Sequence, residues 1–202
     1  MTTNLTSKLE SLIKTMSDGE EFARHGFDLL AKRARPEEYF DPLADARFFD
    51  PSNNPAPVQS TQPGFVHVPY WTALNYLEAV ARRAGELSDL ALAGKILQVV
   101  RSVSAFREPD GTARDNHYTF WKFAEILAVL PTQSISNEDV LLVKAWISSK
   151  FDRGKVAQTL SKSVVGRFLN SGHADDVEKA CILLEQCTTF EWLTEERRGR
   201  DD

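Results

Sequence analysis

The sequence predicts an all-α fold, a stack of antiparallel helix pairs, on three observations. Apolar residues recur at helical spacing through most of the 202 residues. Ten glycines are few for a turn-rich all-β fold of this length. No stretch alternates apolar and polar residues for long enough to read as a strand.

The first helix, near 5–16, places Leu5, Leu9, Leu12 and Ile13 on one face. Ser17 and Glu20 form a capping-box pair that starts a second helix. It repeats Phe22, Ala23, Gly26, Phe27, Leu30 and Ala34 and runs to about Arg35, where Pro36 stops it. Residues 1–35 thus read as an N-terminal helix pair.

Residues 36–68 are different in kind. Seven of the nine prolines lie between 36 and 69, and Asn53, Asn54 and Gly64 add turn signals. Tyr39, Phe40, Phe48, Phe49 and Phe65 nevertheless make the segment too aromatic for a flexible linker. The reading is an ordered connection pinned to the helical body by its aromatics, with a short helix around 42–48. Structureless loops of this length are uncommon unless functional or disordered, so the segment is the most informative anomaly in the sequence.

Residues 69–202 read as three helix pairs and a frayed, charged end. Pro69 suits a first helical position, and a helix near 69–84 buries Trp71, Leu74, Leu77 and Val80 or Ala81 until Gly85 breaks it. Its partner near 86–106 carries Leu87, Leu90, Leu97, Val100 and Val103. After the turn at Pro109-Asp110-Gly111, Asp115 caps a helix over 116–130 with Trp121, Ala124, Leu127 and Leu130 on its stripe. Ser136 with Asp139 starts its partner, 137–149, with Val140, Val143, Trp146 and Ile147. In the third pair, 153–170 repeats Val156, Leu160, Val164 and Phe168, and Gly172 supplies a left-handed cap. Helix 174–187 then buries Val177, Cys181 and Leu184. A partial helix is expected at 190–197, carrying Trp192.

The three pairs start about 47 and then about 37 residues apart, near the 40–47-residue period of HEAT and armadillo units. Trp71-x-x-Leu74-x-x-Leu77-x-x-Val80 and Trp121-x-x-Ala124-x-x-Leu127-x-x-Leu130 share a register. Over about 69–187 the chain therefore resembles a HEAT- or armadillo-type array. The resemblance implies an α-α superhelix and carries over no functional residue. An irregular helical bundle of the same pairs reads identically.

Composition narrows the setting. A formal net charge of −5 argues against chain-wide attraction to nucleic acid or anionic membrane. The N-terminus shows no secretory signal, and no apolar run approaches the roughly 18 residues that span a bilayer. Cys181 and Cys187 match no zinc or redox spacing, and on one helix they point about 240° apart, so they read as buried thiols in a reducing cytoplasm.

Catalytic and cofactor motifs are not visible. His25, His67, His117 and His173 stand far apart, outside any metal-ligand spacing. Asp115-Asn116-His117-Tyr118 holds acid–base residue types, yet Asp115 is already spoken for as a helix cap. Gly94-Lys95 lies within a helix, where the glycine is expected to permit close packing rather than to cradle phosphate. Glu37, Glu38, Asp41 and Asp45 read as a solvated acidic loop, since they lack the alternate spacing and turn glycine of a calcium loop. No cofactor, metal or catalytic residue is assigned.

One charge feature stands out. Between 144 and 167, Lys144, Lys150, Arg153, Lys155, Lys162 and Arg167 face a single acid, Asp152. Lys155 and Lys162 are seven residues apart and share a helix face, so Lys150, Arg153, Lys155, Lys162 and Arg167 form a candidate partner-binding ridge. The expected function is a non-enzymatic helical scaffold that binds another protein, forming the N-terminal part of a larger one. The alternative is a nucleic-acid-binding repeat using the 144–167 ridge. A third reading is an enzyme whose site assembles from scattered residues.

Overall fold

The structure, a computed structural model, describes residues 2–17, 30–53, 58–59, 66–67, 70–107, 109, 111, 119–148 and 153–188. The fold is all-α. Its helices are α1 (Thr2–Ser17), α2 (Phe40–Asp45), α3 (Tyr70–Leu87), α4 (Leu90–Ala105), α5 (Thr119–Val129) and α6 (Asn137–Ile147). They continue as α7 (Arg153–Thr159), a π-turn (Leu160–Val164), α8 (Val165–Asn170) and α9 (Ala174–Thr188). Two-residue strands β1 (Val58–Gln59) and β2 (Val66–His67) pair antiparallel inside the proline-rich connection.

α1 buries Leu9 and Ile13, whereas Leu12 lies at the edge of that face, 42% exposed. Most of the second predicted helix lies outside the described residues. Its end falls at 31 rather than Arg35. The residue before a proline is pushed out of the helical region, and Arg35 sits at φ −134°, ψ 66°.

The aromatic connection is ordered where it is described. α2 begins two residues before the expected 42 and ends in a Schellman turn: Arg47 N–H donates to Ala44 and Phe48 N–H to Leu43, both at 2.9 Å. Arg47 takes the left-handed position at φ 58°. That reversal swings Phe48 and Phe49 inward, where both rings meet the buried Tyr76 of α3 at 6.1 Å. Tyr76 also donates its hydroxyl to the Pro36 carbonyl, so one helix holds both the start of the segment and its Phe48–Phe49 turn.

α3 buries Leu74, Leu77, Val80 and Ala81 as the periodicity requires. Gly85 does not break it. The helix runs on to Leu87 and stops in a second Schellman turn, with Ser88 at φ 53° and Asp89 N–H donating to Ala84. Asp89 then caps α4 by accepting from Leu92 N–H at 3.0 Å. Leu97 and Val100 are buried, but Leu87 and Leu90 flank the tight corner and are about half exposed. The actual use of Gly85 is proximity: a Cβ there would lie 2.0 Å from the Val129 carbonyl oxygen of α5.

Asp115, the expected cap of the next helix, lies outside the described residues, and α5 is described from Thr119. It buries Ala124 and Leu127 together with Phe120, Phe123 and Ile126, and Leu130 just past its end is buried too, while Trp121 is only half-buried. α6 begins with the predicted capping box of Ser136 and Asp139 and buries Val140, Val143, Trp146 and Ile147. Val156, Leu160, Val164 and Phe168 are all buried too, and the π-turn explains how. Three steps of four residues exceed three α-turns by roughly one residue. The widened turn absorbs that excess and keeps the stripe facing inward.

α9 overturns the expected phase. Val177, Cys181 and Leu184 are exposed, while Asp176, Lys179, Ala180, Leu183 and Cys187 are buried. The inward face contains an ion pair, Lys179 to Asp176 at 2.9 Å, with the ammonium 5.4 Å from the Phe168 ring centroid. An apolar-stripe reading excludes two charged residues, and so selects the wrong side. Leu183→Ala should therefore cost about 2–5 kcal/mol in urea denaturation, and Leu184→Ala far less.

The pairs stack in two layers. α3 packs on α5 and α5 on α7, while α4 packs on α6 and α6 on α9. Gly85 lets α3 touch the end of α5, and from the other side Arg167 of α8 donates to the Leu127, Ala128 and Leu130 carbonyls. Lys122 of α5 reaches Glu78 of α3 at 2.7 Å and its own neighbour Glu125 at 2.8 Å. No helix among the described residues is long and apolar enough to cross a membrane.

Candidate functional site: the groove between α2 and α4

The inward turn of Phe48 and Phe49 leaves a groove between α2, the 46–51 turn and the outer face of α4. It encloses about 560 Å³ and opens to solvent. Its floor is apolar: Phe40 and Phe49 on one side, Val99, Val103 and Phe106 on the other. Phe40 and Phe49 stack with ring centroids 5.4 Å apart, which makes that wall rigid.

The rim is polar and internally paired. Lys95 of α4 holds both carboxylate oxygens of Asp41, at 2.7 and 2.8 Å, so the two walls are tied across one end. Arg47, fixed by its left-handed backbone, directs Nε at Asp50 at 3.1 Å and Nη2 at the same oxygen. Asp50 also accepts from the amide and hydroxyl of Ser52 at 2.9 and 2.6 Å. Burial raises the Asp50 pKa, but the hydrogen bonds from Ser52 and Arg47 outweigh it and hold the carboxyl below its ordinary value. Gln98 and Ser102, exposed on α4, complete the lip.

This arrangement corrects two expectations. The acidic cluster lies on a 3-10 turn (Pro36–Tyr39) and α2 rather than in a loop; Glu38, Asp41 and Asp45 are exposed as expected, and cations pair with three of its members. Besides Asp41 and Lys95, Glu37 lies 3.6 Å from Arg83 of α3, and Glu38 pairs with Arg35 at 2.9 Å. Gly94 does not serve close packing inside the chain either: a Cβ built on it meets no atom within 4 Å among the described residues.

The basic ridge is partly assembled. Lys155 and Lys162 are exposed, as is Lys144. Arg167 instead turns inward on the α5 carbonyls, and its burial there lowers its pKa. Its charge meets the negative end of the α5 dipole rather than solvent. Lys150 and the Arg153 side chain lie outside the described residues, as do Trp192, His25 and His117. The fold brings an aromatic from another helix to one of these cations: the Lys155 ammonium lies 4.5 Å from the Trp121 ring centroid, with Lys122 at 5.4 Å on the same ring.

The groove was not legible as a site in the sequence. Its α4 wall reads there as the solvent side of an ordinary amphipathic helix, and its opposite wall as part of a loop. The one usable signal was the aromatic content of 36–68. Comparison with protein-family models, with curated proteins and with solved structures finds no match to the chain.

Proposed function

We propose that the chain is a non-enzymatic helical scaffold, and that it binds a segment of another protein in the groove between α2 and α4. The observation that carries this reading is the groove itself: a solvent-open apolar floor of aromatic and branched side chains, framed by paired charges. A partly exposed apolar floor, formed by Val99, Val103 and Phe106 inside a polar frame, is the kind of surface a protein-binding hot spot is built on. The stacking of helix pairs in two layers supports a scaffold of the helical-repeat kind, in which extended faces serve for binding.

A partner isolated on the wild-type chain tests the proposal. Its binding should fall at least about tenfold with Ser102→Trp or Val103→Asp, which fill or charge the groove. It should be unchanged by Lys155→Glu with Lys162→Glu, since those residues lie on α7 and the π-turn. The opposite pattern, with a salt-dependent gel shift on nucleic acid, would overturn the groove in favour of the basic ridge.

A further inference from the structure

We draw no further inference here: the strongest candidate, the exposed stripe of Val177, Cys181 and Leu184 along the outer face of α9, is an apolar helix face, and nothing in the structure shows what covers it.

Discussion

Arg101→Ala should destabilise the chain by about 3 kcal/mol, near the lower end of the range for breaking a buried ion pair. Arg101 of α4 grips Asp139 of α6 through Nε and Nη2, at 2.6 and 2.8 Å. The two ends of the pair are unequal, since the Asp139 side chain is 1% exposed and that of Arg101 is 40% exposed. Solvent around the guanidinium trims the effect, while the carboxylate left behind, 1% exposed, loses its counter-charge. Asp139 also accepts from the Ser136 amide and hydroxyl, each at 2.8 Å, so losing Arg101 loads the capping box that starts α6. A few residues away Trp146 donates to Ser104 at 3.0 Å, a second buried polar tie between the same two helices. Adding Asp139→Asn to Arg101→Ala should restore more than half of the loss, because the neutral amide is cheaper to keep buried than an abandoned charge. Urea denaturation of the two single variants and the double variant measures this directly. A double variant as unstable as the sum of the singles would show that the pair does not act as a unit.

Two glycine-to-alanine changes, both inside helices, should move stability in opposite directions. At an exposed helical position alanine is favoured by up to about 1 kcal/mol, and Gly94→Ala should show that gain because its Cβ meets no atom within 4 Å among the described residues. Gly85→Ala should instead cost about 2–3 kcal/mol. The new Cβ would stand 2.0 Å from the Val129 carbonyl oxygen, and backbone cannot step aside as a side chain can. Relief requires α3 and α5 to separate, which strains the Lys122–Glu78 contact between them. Thermal melts of both variants check the sign. Equal stabilisation at the two sites would mean that the α3–α5 approach is looser than the structure has it.

The helical class, the element order and most inward faces were legible in the amino-acid order because one local rule governs them. The stripe of α6 and that of 153–170 satisfy helical spacing with apolar residues alone, and both are buried. The capping box at Ser136 and the left-handed Gly172 are likewise local matters, decided within a few residues. α9 was misread because its core side carries Asp176 and Lys179, which become buriable only when they pair with each other beside Phe168. Gly85 reads as a breaker in isolation, and its partner, the Val129 carbonyl, lies 44 residues further along. Arg167 reads as a ridge cation until the open end of α5 arrives beside it.

The groove follows the same division. Sequence alone marked the aromatics of 36–68 for packing on the body, and Phe48 and Phe49 are buried, since that needs only their side chains and some apolar surface to meet. Where that surface lies, which face of α4 opposes it, and that Lys95 meets Asp41 across 54 residues depend on long-range packing. Local periodicity specifies which side of a helix turns inward. Only the tertiary structure decides what stands opposite it, because that depends on contacts whose chain separation carries no periodic signal.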